Sequence, residues 1–408
     1  MTRPAVWIGW LISRLLLCWL IWRDQRPFGD VRYYFNGVTG LDPTALTEYP
    51  DAGVWPVRFL ALLTGDTWGA FQVGFLFMCL LLDAAFLTLI LRRTDRSRLT
   101  AGWFWVCFGL AVGHVFYLRL DLFPGLLVAA FGALLFHRPA WASVALAAAT
   151  AVKLWPGVLA ASLVGGLRRA GTWLRLLAFF GSLAAFALVT VVTSGVDRLI
   201  SPLTYQGERG LQIESLAATP FMLDAHRNPT DYWIGYSSSK SFEIHGPITD
   251  GAVTAVDVGM LVVLGFAVIV AATMMLTDRW HPRSALAFAL LLVLLLIVTN
   301  KVFSPQYLVW IGPLLAVCLC VSADWQVRAM AVLTVIAAGL TFLIYPVHYD
   351  VLYQDIASAG LPLTLLVARN GLVVLLTLLS AWWLGRVVFK ELGQRGCPAE
   401  PQRAHGRA

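Results

Sequence analysis

The chain alternates long apolar runs with short polar breaks, and that pattern sets its architecture. Segments 5–22, 68–91, 101–118, 122–136, 140–152, 155–167, 173–193, 252–277, 284–300, 306–321, 327–345 and 362–385 carry few charges each. Several exceed the roughly 18 residues needed to cross a hydrocarbon core of about 30 Å. The pattern predicts an all-α polytopic membrane protein with about 12 transmembrane helices and large loops on one side. We expect one transmembrane domain over residues 1–393 and a disordered cytoplasmic tail at 394–408.

The fifth and sixth segments are short. "WASVALAAATAVKLWPGVLAASLVGG" is too long for one straight crossing and short for two. It reads as a helical hairpin broken at Lys153-Leu154-Trp155-Pro156, because proline disfavours helix at the preceding residue. Such breaks persist in a membrane only when buried in protein or lining a cavity. The expected outer loops are 23–67, 194–251 and 346–361. The second is too long for a simple connector; it predicts a short helix in "ERGLQIESLAATPFML" and a polar hairpin around 232–248.

Composition supports the membrane assignment. The chain is 59% hydrophobic and only 13% charged, where soluble domains run near 25% charged. The six cysteines lie mostly in apolar runs and show no CxxC or Cys/His metal spacing, which points to packing. The first segment is interrupted by Arg14 and lacks a small-residue cleavage site, so it does not read as a signal peptide.

Charge then orients the chain. The net charge is +7, and its distribution matters more than its sum. With the N-terminus cytoplasmic, the inner segments and their flanks hold 17 of the 30 Lys and Arg but only 5 of the 23 Asp and Glu. Short basic inner loops such as "LRRTDRSR" fit the positive-inside rule. Both termini are therefore expected in the cytoplasm, with a net acidic outer face. The expected surroundings are a lipid bilayer, with no nucleic acid partner. Arg14 and Asp83 lie inside helices at similar depth, and a charge there is normally paired. They read as a structural ion pair, with an ion path as the alternative.

The remaining unusual polar groups fall at the outer ends of the segments. The first loop supplies Asp30, Tyr33, Tyr34, Asp42, Glu48 and Tyr49. "YLRLDLFPG" supplies Arg119 and Asp121, and the broken hairpin supplies Lys153. The second loop supplies Arg209, Gln212 and Glu214. "NKVFSPQY" supplies Lys301, Gln306 and Tyr307, and "YPVHYD" supplies Tyr345, His348 and Tyr349. Carboxylates beside several cations at a membrane surface suit an enzyme that handles an anionic lipid.

An early outer-loop Asp and Tyr pair, followed in order by "EYP", "RLDLFP", "AVKLWP", "RGLQIES" and "KVFSPQYLVW", resembles the family 87 glycosyltransferases of the GT-C superfamily, polytopic enzymes of actinobacteria and relatives. The resemblance spans about residues 5–390. It implies a GT-C-type fold and a polyprenyl-phosphate-linked sugar donor, most simply mannose, with a glycolipid, lipoglycan or glycan acceptor. It further implies inversion at the anomeric carbon, with no metal, nucleotide or other cofactor. The chain departs from the better-known members at "EYPDAGVWP", where they tend to have a double proline.

That chemistry needs a general base within reach of the acceptor hydroxyl and cations where the phosphate departs. Asp30 stands eight residues past the first apolar segment, at the lipid–water boundary, and matches the early outer-loop acid of GT-C enzymes. It is the expected base; a helix N-cap is the bland alternative. His348 is the second catalytic candidate, able to bind the phosphate or assist proton transfer. Lys153, Arg119 and Lys301 are candidate donor-phosphate cations. Snorkelling to the interface competes for Lys153, and a local pair with Asp121 competes for Arg119. Tyr33, Tyr34, Glu48, Tyr49, Arg209, Glu214, Gln306 and Tyr307 are candidate sugar or acceptor contacts. Asp42, before proline in "LDPTAL", reads as an N-cap. Three other functions stay open: an arabinofuranosyltransferase, a lipid or glycan flippase, and a non-catalytic assembly protein. The lack of a strong internal repeat counts against the transporter reading.

Overall fold

A computed structural model of the chain describes residues 2–93, 95–207 and 209–395, and the expected tail lies outside them apart from its first two residues. The first half contains α1 (Arg3–Arg23), α2 (Gly29–Val38), α3 (Asp51–Thr64), α4 (Trp68–Ile90), α5 (Arg96–Val112), α6 (Leu122–Leu134) and α7 (Pro139–Val152). A nine-residue 3-10 helix, Trp155–Leu163, comes after the break at Lys153. Then come α8 (Ala170–Ser194), α9 (Val196–Gly207), α10 (Thr219–Arg227), and a hairpin of β1 (Trp233–Tyr236) and β2 (Phe242–His245). The chain ends with α11 (Thr249–Thr277), α12 (Pro282–Val298), α13 (Leu308–Val321), α14 (Trp325–Phe342), α15 (Tyr349–Gln354) and α16 (Gly360–Arg395).

Among the described residues, seven helices are long and apolar enough to cross a membrane, and four shorter apolar helices accompany them. This is a multi-pass, all-α membrane protein, and each apolar run of the sequence carries a helix. The expected sixth crossing is the exception. Its 3-10 helix has nine residues and rises about 2 Å per residue, or roughly 18 Å, so it is too short to cross alone.

Helices α12 and α13 are buried nearly all round, which their continuous apolar sequences require. α13 packs against α5, α6, α12 and α14 at the centre. α8 and α11 expose long apolar side chains such as Leu177, Phe180, Leu261 and Val262, as lipid-facing helices do.

The Arg14–Asp83 pair is formed, at 2.7 Å between Nε and Oδ2, and both residues are buried. Asp83 also accepts from Trp10 Nε1 (2.8 Å), Trp105 Nε1 (2.6 Å) and Tyr117 OH (2.5 Å). A fully satisfied carboxylate of this kind ties α1, α4 and α5 together and leaves no acceptor for a transported ion.

Three long connections gather at one end of the bundle. Asp51 accepts from Arg58 Nη1 (2.7 Å) and Trp55 Nε1 (2.9 Å), and Arg198 Nε lies 3.7 Å away. The last contact joins 23–67 to 194–251. His226 Nδ1 lies 2.8 Å from Ile356 O, and Phe242 stacks on Tyr353 at 3.9 Å, which joins 194–251 to 346–361. The opposite end is held by Arg169–Asp278 (2.6 Å) and Lys390–Asp324 (3.1 Å).

Two local expectations change. No helix begins at Asp42; its carboxylate accepts from Thr44 N (3.0 Å) and Oγ1 (2.7 Å) in a turn, the competing habit of Asp. The helix expected through "ERGLQIESLAATPFML" starts only at Thr219. The backbone before it is claimed by the hairpin, with Ile213 N donating to Phe242 O (3.1 Å) and Ile244 N to Leu211 O (3.0 Å).

Candidate active site

The site grows from two breaks in helical structure. At the first, α1 ends and a short 3-10 turn leads into α2, which places Asp30 in the first helical turn. At the second, α7 ends at Lys153, whose extended backbone turns the chain into Trp155-Pro156. Gly53 of α3 packs against the carbonyl of Val152 so closely that a side-chain carbon there has no room. That approach sets the first loop against the break.

Asp30 and Arg119 form an ion pair. The guanidinium is buried and otherwise committed: Nη1 donates to Pro27 O (3.3 Å) and Leu118 O (3.0 Å), and Nη2 to Tyr345 OH (3.1 Å). Asp30 keeps 42% of its side chain exposed although protein crowds it. That crowding raises its pKa above the ordinary 3.8; Arg119 pulls the other way, and the charge of nearby Asp121 adds to the rise. Asp30 therefore does not cap the helix. It is an accessible carboxylate oriented by a fixed cation.

Asp121 is the second centre. It is fully buried, and Oδ1 accepts from Lys153 Nζ (2.6 Å) and Trp310 Nε1 (2.6 Å). Arg119 thus pairs with Asp30 and Asp121 with Lys153; the local Arg119–Asp121 alternative is not formed. Lys153 lies 5.9 Å from the ring centroids of Tyr49 and Tyr307 and 5.4 Å from that of Trp310, within cation–π range. Trp310 stacks between Trp155 (4.7 Å) and Tyr307 (3.8 Å). An ammonium has three donors. Lys153 spends one on Asp121 and leaves 23% of its side chain exposed.

The first loop walls the site. Tyr34 and Tyr49 touch through their hydroxyls at 3.3 Å, and Tyr33 OH donates to Glu48 Oε2 at 3.0 Å. Burial raises the Glu48 carboxyl above its ordinary range. Arg209 hydrogen-bonds Tyr307, and its charge acts on Glu48. From the hairpin side, Lys240 Nζ sits 5.4 Å from the Tyr33 ring, and Tyr236 feels the charges of Asp30 and Glu48.

Three expected members stand apart. Lys301 pairs with Asp257 at 3.1 Å and with neither Asp30 nor Asp121. Gln306 accepts from Ser304 Oγ at 2.6 Å within its own turn. Glu214 is fully buried against Arg369 at 3.4 Å, with Arg369 Nη2 also on its carbonyl at 2.8 Å. Burial pushes the Glu214 carboxyl up to about 7 although Arg369 opposes the rise. It anchors the second loop to α16 and is closed to a sugar. His348 lies three residues past Tyr345, which holds Arg119, and its ring makes no hydrogen bond among the described residues.

Sequence reasoning missed the pairing of Asp121 with Lys153 and the stack of Trp155, Trp310 and Tyr307. A carboxylate inside the apolar "RLDLFP" was a legible signal for a buried partner; its identity was not. The hairpin residues Lys240 and Tyr236 gave no signal, since polar loop residues look alike in sequence. Residues 47–240 of the chain, just under half of its 408 residues, match the family model described as Glycosyltransferase family 87. No curated protein and no solved structure matches it.

Proposed function

We propose, from the match of residues 47–240 to the glycosyltransferase family 87 model, that the chain is a membrane glycosyltransferase that uses a polyprenyl-phosphate sugar, most simply mannose. The acceptor is the hydroxyl of a glycolipid, lipoglycan or glycan at the extracytoplasmic surface. The observation that carries this reading is the pair of coupled centres at one end of the bundle: Asp30 oriented by Arg119, beside Lys153 held by Asp121. The basic loops of the opposite end support cytoplasmic placement of that end and of both termini.

In the reaction, the acceptor oxygen attacks the anomeric carbon as the bond from that carbon to the phosphate oxygen breaks. The phosphate leaves with the bonding electron pair, and the hydroxyl proton passes to Asp30. In-line attack inverts the anomeric configuration. The accessible carboxylate of Asp30 suits a general base, because its pKa is raised above the ordinary carboxylate value, toward the working pH. Lys153 offers unused N–H donors to the departing phosphate at the wall of Tyr49, Tyr307 and Trp310, where low solvent access strengthens the interaction. Arg119 acts chiefly through Asp30, since its Nε faces that carboxylate and three of its other four N–H donors are taken. Tyr33, Tyr34, Glu48, Tyr49 and Arg209 flank the space in which sugar and acceptor meet. His348, whose ring makes no hydrogen bond among the described residues, is a further proton or phosphate contact beside Tyr345.

The test is a donor screen. Membranes carrying the chain are supplied with radiolabelled mannosyl, arabinosyl or glucosyl polyprenyl phosphate, and product linkage is determined. Transfer from the mannosyl donor with inversion is the expected result. Transfer from the arabinosyl donor alone would move the sugar to arabinofuranose. No transfer from any of the three, with folded protein present, would sink the proposal.

A further inference from the structure

The end of the bundle away from Asp30 holds a cavity of about 360 Å³ between the N-termini of α7 and α8, lined by Arg138, Ala140, Trp141, Gly171, Leu174 and Arg175. Arg175 is 7% exposed. Its Nε donates to Leu163 O (2.7 Å) and Nη2 to Thr172 Oγ1 (3.4 Å), and its guanidinium lies 3.8 Å from the Trp280 ring centroid. No ion pair among the described residues includes Arg175 or Arg138. The other buried arginines are different: Arg14, Arg119 and Arg369 each face a carboxylate. A buried charge without a counter-charge is costly.

The helix ends add to the imbalance. Neither α7 nor α8 has a side-chain N-cap, and neither carries an acidic residue in its first turn. Their free N–H groups and dipoles place partial positive charge at the same cavity. Two guanidinium groups and two helix N-termini converge at a cavity whose lining includes no acidic residue; Asp278, beside the start of α8, is spent on Arg169. A phosphate diester would supply the missing charge and bidentate acceptors for arginine.

The apolar surroundings say where that phosphate comes from. Leu174, Leu177 and Phe180 are exposed along α8 from the cavity toward mid-membrane, the course an acyl chain takes. Trp141 and Trp173 are exposed at the rim, as aromatic side chains at a membrane interface are. We propose that this cavity binds the phosphate head group of an anionic glycerophospholipid, with its acyl chains against α8.

Native mass spectrometry of the purified full chain in detergent tests the site with dioleoyl phosphatidylglycerol, dioleoyl phosphatidylcholine and inorganic phosphate. Phosphatidylglycerol should bind about tenfold more tightly than phosphatidylcholine, the scale of one charge-assisted pair. Arg138→Gln and Arg175→Gln should each reduce phosphatidylglycerol affinity roughly fivefold. Arg93→Gln, an exposed arginine outside the cavity lining, removes the same charge and should leave affinity nearly unchanged. If Arg175→Gln does not fold, Arg138→Gln decides, because Arg138 is exposed. Equal binding of the two lipids, retained affinity in the Arg138 variant, or an equal loss in the Arg93 variant overturns the proposal. Displacement of bound phosphatidylglycerol by inorganic phosphate also overturns it, since it would mark a site for free anions.

Discussion

Asp30→Asn keeps the shape of the side chain and removes its charge and its capacity to take a proton. The fold around it should hold. Arg119 loses its carboxylate but keeps Pro27 O at 3.3 Å, Leu118 O at 3.0 Å and Tyr345 OH at 3.1 Å. Asp30 is 42% exposed, so the pair is partly screened, and its loss should cost about 1–2 kcal/mol of stability. Catalysis should suffer more. A positioned general base contributes about 10²–10⁴-fold, which is roughly 3–5 kcal/mol of transition-state stabilisation. The assay is transfer of radiolabelled sugar from the polyprenyl-phosphate donor by purified protein, with kcat and KM separated. The turnover number should fall in that range while the donor KM moves less than about threefold, because the carboxylate acts on the acceptor proton. A pH profile supplies the sign. The base must be ionised, and its pKa is raised above 3.8, so activity should climb with pH on a limb displaced upward from an ordinary carboxylate. A folded Asp30→Asn protein that keeps more than about a tenth of wild-type turnover, or one with the acidic limb unchanged, refutes the assignment of Asp30 as base.

Other outcomes rest on neighbouring contacts. Lys153→Met strands the buried Asp121 carboxylate and should cost about 3–5 kcal/mol, read as a lower melting temperature in detergent; Asp121→Leu combined with Lys153→Met should recover much of that stability but no transfer. Asp83→Asn leaves Arg14 buried without its anion and should lose about 3–5 kcal/mol, seen as loss of the monodisperse peak in size-exclusion chromatography. Gly53→Ala sets a methyl against the Val152 carbonyl and should cost about 1–3 kcal/mol, with a larger fractional loss of transfer than a surface Gly69→Ala control. His348→Ala should reduce transfer at least about tenfold with an unchanged melting temperature, because the ring makes no hydrogen bond among the described residues.

Much of the fold was legible because a bilayer imposes one rule on every crossing: satisfy the backbone internally and present some 20 apolar residues. That rule marks α1, α4, α8, α11 and α16 in the bare sequence, and it flags Arg14 and Asp83 as a pair before any coordinates exist. The break at Lys153 was legible for a similar reason, since Pro156 cannot continue the helix. The residues beyond the break were less legible: a short 3-10 helix replaces the crossing expected at 155–167.

Which charge meets which was not legible. Lys153 reaches Asp121, Arg119 reaches Asp30, and Glu214 is enclosed by Arg369. Each pairing depends on the rotation and depth of two helices or loops far apart in sequence, and those are fixed by side-chain packing across the whole bundle. The sequence by itself determined that this chain lies in a membrane, with its unusual polar groups at one end and its arginines concentrated at the other. Only the tertiary structure decided that Lys301 and Glu214 are committed elsewhere, that Asp30 stays accessible beside a fixed cation, and that Arg175 is buried with no ion-pair partner among the described residues. The physical reason is one of range: burial in lipid is dictated locally, residue by residue, whereas neutralising a buried charge needs a partner that only the assembled fold brings within reach.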